Sequence, residues 1–208
     1  MENNLIYILK GLNLTLKLYF FTLIFALPFG ILLSLGRVSK SKLLNNSIQI
    51  YTWIFRGTPL LLQLFFVYYG LPVVGITLEP FNAALITFVI NYSAYTCEIF
   101  RGSILGINKG QYEAATVLGY NYWQTMFKVI LPQSLVTALP SLSNEAISLV
   151  KDTSLISAIG MAEILRNSKE IVTREFNITP FILCAGVYLT LSTIIIFILK
   201  NIEKKVNV

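Results

Sequence analysis

The chain has 208 residues, of which 55% are apolar and only 12% charged, with a net charge of +6 and no histidine. Soluble domains carry about 25% charged residues, and one small core cannot bury several helices that are apolar all round, so the composition excludes an ordinary soluble helical protein. The missing histidine removes the commonest general base and a common metal ligand, and the lysines and arginines sit mostly at the ends of apolar runs, where they orient helices instead of gripping nucleic acid.

The first residues lack a signal-peptide layout. Glu2 stands where a basic region belongs, and no small-x-small cleavage site follows the apolar stretch. The first span is therefore expected to stay in the mature protein. Five stretches are long enough to cross a bilayer as helices. They run over about residues 12–35, 48–71, 81–100, 134–159 and 180–199. The first contains Pro28 and Gly30, tolerated in membrane helices when neighbours satisfy the freed backbone. The second is broken by Arg56-Gly57-Thr58-Pro59. Cys97 and Cys184 fall inside apolar runs and read as packing residues, with no disulfide or metal spacing. The expected fold is an all-α integral membrane protein: one domain over residues 11–200, five transmembrane helices, a long loop over 101–133, and a tail over 201–208.

Basic residues in short loops set orientation. One side holds Arg37, Lys40, Lys42, Arg101, Lys109, Lys128, Lys200, Lys204 and Lys205. The other holds Lys10, Lys17, Arg166, Lys169 and Arg174, the last three accompanied by Glu163, Glu170 and Glu175. The larger set predicts a cytoplasmic C-terminus and an external N-terminus.

Ionisable residues inside spans are costly and usually face a bundle interior or a cavity. Three spans carry polar stripes at helical spacing. They are Gln49, Thr52, Arg56 and Gln63; Thr87, Asn91, Tyr95 and Glu98; and Ser141, Asn144, Ser148, Lys151 and Asp152, with Glu145 beside the last. Together they predict one shared polar cavity. The competing reading is that they glue helices together: Arg101 lies one turn from Glu98, and small hydroxyls such as Ser141 and Ser148 are common at helix contacts. Arg56, Lys151 and Asp152 favour a ligand, because each sits near a break or a Gly- or Ser/Thr-rich stretch, and discontinuous helices point to transporter sites. An ammonium such as Lys151 suits an α-carboxylate, and Asp152 or Glu98 suits an α-amino group. Thr58 adds a hydroxyl. The chemistry is compatible with an amino acid.

The segment Gln111–Pro132 interrupts this apolar chain. It predicts a short helix over Tyr112–Leu118 stopped by Gly119, then a second over Tyr122–Ile130 ended by Pro132. Val117, Leu118, Tyr122, Trp123, Met126 and Phe127 put much apolar area on it. Physics alone leaves two readings open: a helix docked in a partner's groove or one lying on the bilayer surface.

The pattern Glu113-Ala114-Ala115, then Gly119, then Ile130-Leu131-Pro132 resembles the cytoplasmic loop of permease subunits in type I ATP-binding-cassette importers. Phe55-Arg56-Gly57-Thr58-Pro59-Leu60 with Gln63-Leu64-Phe65, the run Asn144 with Ser148 to Leu155, and Asn91, Tyr95 and Glu98 resemble the branch that imports polar amino acids. The resemblance spans about residues 11–205 and departs at Cys97 and at Glu145, which stands where an apolar or aromatic residue is often seen. It implies a non-catalytic subunit in a bacterial inner membrane, paired with itself or a sister permease. It also implies separate ATPase subunits that carry ATP and Mg, and an extracytoplasmic substrate-binding protein. Glu113, Ala114, Ala115, Gly119, Leu131 and Pro132 become the ATPase-coupling residues. Arg56, Thr58, Glu98, Asn144, Ser148, Lys151 and Asp152 become the substrate-binding ones. No GxxxxGK[ST] phosphate loop occurs in the chain. Wider similarity over Gly119–Met126 and Ala138–Asn144 points to cystine, and the acidic residues point to arginine, lysine or histidine. A secondary amino acid transporter and a non-transporting membrane scaffold are the rival classes, both leaving the docking-like segment and the broken spans less well explained.

Overall fold

The computed structural model describes residues 2–206, and among them all regular structure is helical. The helices are α1 (Glu2–Lys10), α2 (Leu12–Arg37), α3 (Lys42–Gly57), α4 (Leu60–Phe65), α5 (Pro80–Leu105), α6 (Lys109–Val117), α7 (Tyr122–Thr125), α8 (Leu131–Asp152), α9 (Ile164–Glu175) and α10 (Thr179–Val206). A π-turn over Phe66–Gly70 and a 3₁₀ turn over Leu71–Val74 extend α4, and a 3₁₀ stretch over Thr153–Ile159 extends α8.

The helix α5 is central. Its apolar stretch is 61% buried, against 6% for α10, which presents its surface outward. The longest helix contact runs between α2 and α5, and α5 also packs on α3 and α8. Gly30 makes the α2–α5 approach possible: a Cβ there would stand 2.5 Å from Thr96 Cβ and 3.0 Å from the Ser93 carbonyl. Small residues at such crossings let backbones come close in a membrane, where packing replaces the hydrophobic drive. The main core gathers Leu18, Ala26, Leu64, Phe88, Leu149 and Ile156 from four helices and the 3₁₀ stretch.

Among the described residues three helical stretches are long and apolar enough to span a bilayer, and the α3–α4 pair, bent by 102°, adds a fourth when taken as one broken span. The span expected over 134–159 corresponds to α8 and its 3₁₀ extension. The polar residues on α8 leave it short of the apolar character of the other spans, as expected for a helix that faces a cavity.

Two elements lie outside the sequence-based reading. The helix α1, at the end read as lying outside the first span, packs on α9, with Tyr7 Oη donating to Glu170 at 2.7 Å and Asn167 Nδ2 donating to the Tyr7 carbonyl at 3.1 Å. The segment after the fourth span is the amphipathic α9. Its N-cap, the fully buried Glu163, accepts from Leu165 N at 2.7 Å, Arg166 N at 2.6 Å and Tyr188 Oη at 2.7 Å. Burial nevertheless pushes this carboxyl above its ordinary range.

Gly30→Ala is expected to destabilise the chain by about 1–3 kcal/mol, the usual cost of overpacking. Thermal unfolding in detergent checks this, and a midpoint equal to that of the parent chain contradicts the close-packed crossing.

Candidate functional site

The site begins with a helix that ends inside the protein. Where α3 stops, the carbonyls of its last turn lose their intrahelical partners. Side chains supply replacements. Thr58 Oγ1 donates to the Ile54 carbonyl at 2.8 Å. The Phe55 carbonyl accepts from Asn91 Nδ2 at 2.8 Å and from Gln63 Nε2 at 3.0 Å. Tyr95 Oη reaches the Arg56 carbonyl at 3.5 Å. Gln63 also donates to Thr58 Oγ1 at 2.7 Å and accepts from Asn91 at 3.0 Å. Gln63 and Asn91, which the sequence placed in polar stripes, and Thr58, expected to add a ligand hydroxyl, are thus largely spent on holding the break.

The break opens onto a cavity of about 720 Å³ between α3, α4, α5 and α8. Its charged lining is Arg56, Glu145 and Asp152, with Thr58, Tyr95 and Ser148 among its polar groups. The Arg56 guanidinium lies over the Tyr95 ring, 5.3 Å from its centroid, and remains 43% exposed. Tyr92 Oη donates to Asp152 Oδ2 at 2.7 Å, fixing one carboxylate oxygen. Glu145 makes no ion pair within the described residues. One guanidinium and two carboxylates therefore face a shared space.

Two of the expected ligand residues lie elsewhere. Asn144 and Lys151, seven residues apart on α8, are exposed on a strip beside the cavity face. Lys151 lines a separate recess with Ser154, Phe181 and Tyr188. A third, Glu98, is consumed by cations: Arg101 Nε at 2.7 Å, Arg37 Nε at 3.1 Å and Arg56 Nη1 at 4.0 Å, with Thr52 Oγ1 donating at 3.3 Å. Arg37 also bonds Asn45. This hub ties α2, α3 and α5 together. The sequence showed the Arg101 pairing through its three-residue spacing, but Arg37 is 61 residues from Glu98, and no local pattern reveals such a partner. Tyr92 was missed because its partner, Asp152, lies 60 residues away on α8.

The segment Gln111–Pro132 is folded. The helix α6 ends in paired bonds from Gly119 N to the Thr116 carbonyl at 2.9 Å and from Tyr120 N to the Ala115 carbonyl at 3.0 Å, with Gly119 at φ +75°. This is the glycine stop that the sequence predicts. Asn121 and Gln124 then cap α7 reciprocally, each side chain accepting from the other's backbone N–H at 2.9 Å. Pro132 does not end the second helix. The chain passes through a π-turn at Met126–Ile130 straight into α8. Proline leaves the carbonyl four residues before it without an N–H partner, and a widened turn absorbs that loss without a break. Ala115 is buried, Leu131 half-buried, and Glu113, Ala114 and Pro132 exposed. Val117 and Leu118 stand 87% and 72% exposed, forming an apolar tip.

A bundle with a broken helix at a charged cavity and a folded elbow between two spans defines a membrane permease. The chain belongs to the family described as the binding-protein-dependent transport system inner membrane component, matched over residues 26–208. Within it, the similar proteins are amino-acid permeases. The chain is 41% identical over 200 residues to a probable amino-acid ABC transporter permease, YckA, of Bacillus subtilis (strain 168), covering 96% of this chain and 88% of that one. It is 38% identical to the L-cystine transport system permease TcyB of the same organism, covering 95% and 85%. It is also 38% identical to the arginine transport system permease ArtQ there, covering 97% and 93%. Among solved structures, an amino acid ABC transporter crystallised with histidines aligns with a TM-score of 0.88 at 33% identity, covering 96% and 94%.

Glu98→Ala is expected to cost about 3–5 kcal/mol, because it strands the nearly buried Arg37 without its counter-ion. Arg101→Ala, which removes a more exposed partner, costs less. Unfolding midpoints of the two variants check the order, and equal midpoints contradict the hub.

Proposed function

We propose that this chain lines the translocation path of an ATP-driven importer for a basic amino acid. The single observation that carries the substrate class is the charge of the cavity: Arg56 against Glu145 and Asp152. A zwitterion carries one charge of each sign. Arg56 suits its α-carboxylate, through planar, bidentate hydrogen bonding. Asp152, whose Oδ1 accepts no hydrogen bond within the described residues, suits the α-ammonium with help from Ser148. Glu145 then lacks a counter-charge unless the substrate brings a second cation. Unpaired charges in a desolvated site are expensive, so arginine, lysine or protonated histidine fits where glutamine does not. Cystine carries two α-carboxylates, and the cavity offers one guanidinium. Sequence identity does not separate these substrates, being 38% to both the cystine-type and the arginine-type relative.

The rest of the reading follows from the family. A binding protein delivers substrate on the external side, where the N-terminus lies. Two permeases, identical or sister, enclose the path, with the exposed Asn144–Lys151 strip available to a second copy. ATPase subunits, holding ATP and Mg, grip the tip formed by Glu113, Ala114, Val117 and Leu118. Because α7, the π-turn and α8 form one continuous helix that begins just past the Gly119 stop, movement passed from the tip into α7 reaches Glu145, Ser148 and Asp152 along that helix. The chain contributes no catalytic group of its own. A secondary transporter leaves this exposed apolar tip without a purpose.

Reconstituted uptake tests the substrate assignment. Glu145→Gln is expected to raise the half-saturating arginine or lysine concentration about tenfold or more, in line with loss of one charged hydrogen bond, while sparing neutral amino acids. Arg56→Gln weakens both classes. An unchanged arginine half-saturation in Glu145→Gln refutes the basic-substrate reading.

A further inference from the structure

A second, larger hollow lies away from the substrate cavity, and no part of the transport reading uses it. It has a volume of about 900 Å³ and separates the α2–α3 corner from the elbow. Leu32 and Leu35 of α2 and Leu44 and Ile48 of α3 form one wall. Trp123 and Phe127, whose rings stack 6.0 Å apart, form the other. The groove is open: Leu32, Trp123 and Phe127 are 65%, 60% and 58% exposed.

Its polarity is confined to one end. Ser39, Lys40 and Ser41 stand where the chain turns from α2 into α3. The Ser39 hydroxyl is buried with no hydrogen-bond partner in the protein. The α3 N-terminus is capped by Ser41, whose Oγ accepts from Leu44 N at 3.4 Å, and has no acidic residue in its first turn, so no negative charge in that turn offsets its partial positive charge. Lys40 and its neighbour Lys42 form no ion pair within the described residues. On the elbow, Lys128, next in sequence to Phe127, stands over the Tyr120 ring at 5.3 Å. The sequence contains no Asp or Glu from Asn3 to Leu78 or from Ala114 to Asn144, so neither wall can supply a counter-charge locally.

We propose that this groove binds an anionic phospholipid of the surrounding bilayer, its acyl chains along the leucine and aromatic walls and its phosphate at Ser39, Lys40 and the start of α3. Two features favour a lipid over a protein partner. The ligand must be apolar along most of its length and anionic at one end. The groove also opens on the flank of two bilayer-facing helices, at the height where their apolar surface gives way to basic residues. Anionic lipids are drawn to such juxtamembrane lysines. Bound there, the lipid bridges the α2–α3 corner to the helix that carries the elbow, so membrane composition acts on the moving part. The assignment is independent of which amino acid is carried.

The chain has two tryptophans, Trp53 and Trp123, so Trp53→Phe leaves one reporter inside the groove. The full chain, purified with its partner subunits, is placed in nanodiscs containing brominated phosphatidylglycerol or brominated phosphatidylcholine as quencher. The anionic phosphatidylglycerol is expected to quench Trp123 at the lower mole fraction, and Lys40→Gln to raise its half-quenching mole fraction about fivefold. Equal quenching by both lipids reduces the groove to ordinary bilayer contact and overturns the site. Absence of quenching by either means that protein covers it, which also overturns the proposal. Should Trp53→Phe fail to assemble, native mass spectrometry of the unaltered complex, with and without Lys40→Gln, reads the same preference as retained lipid.

Discussion

The carbonyls left open at the end of α3 are the constraint around which this protein is arranged. A helix that stops within a membrane protein exposes backbone acceptors that water cannot reach freely, and each must find a donor. Gln63 and Asn91 converge on the Phe55 carbonyl, Thr58 closes on Ile54, and Tyr95 approaches Arg56. Those bonds fix the 102° bend between α3 and α4. The bend in turn brings the Arg56 side chain to the cavity, instead of letting a continuous helix carry it past. Because Asn91 and Tyr95 belong to α5, the most buried of the spans, the break is anchored to the rigid centre of the bundle.

A division of labour among the charges follows. Glu98 is surrounded by Arg37, Arg101 and Arg56, and serves to join α2, α3 and α5. It sits close to the cavity without being available to it. Glu145 and Asp152 come from α8, a helix continuous with the elbow. One half of the cavity is thus built on α3–α5 and the other on α8. In the transport reading, substrate is held between them, and a shift of α8 separates Arg56 from the two carboxylates. The charge pattern that selects the ligand is then the same one that releases it.

Much of this was legible in the sequence, and the failures share a cause. Helices, the glycine stop at Gly119 and the break at Arg56–Pro59 are local features, set by a few consecutive residues. The polar stripes correctly marked which helices contribute to a cavity. They did not say which members of a stripe face it, because helical spacing gives an angle but no neighbour. Asn144 and Lys151 turned out to lie beside the cavity face, and Glu98 found partners on two other helices. Gln63 and Asn91 look like ligand residues in sequence, yet their donors are needed by a backbone carbonyl, a demand visible only once the bend exists. Pro132 misled for a different reason. A proline ends a helix only if the lost hydrogen bond cannot be absorbed, and the π-turn before it absorbs that loss. The amphipathic α1 and α9 escaped notice because they are held by each other and by α10, contacts between segments far apart in sequence.

The central claim is that one cavity with a single guanidinium and two carboxylates selects a cationic amino acid. Equilibrium competition tests it most directly: labelled arginine bound to the purified, membrane-embedded transporter, challenged in turn with unlabelled lysine, cystine and glutamine. The account predicts displacement by lysine at concentrations well below those needed for cystine or glutamine. Displacement by glutamine or cystine as effective as that by lysine would contradict it.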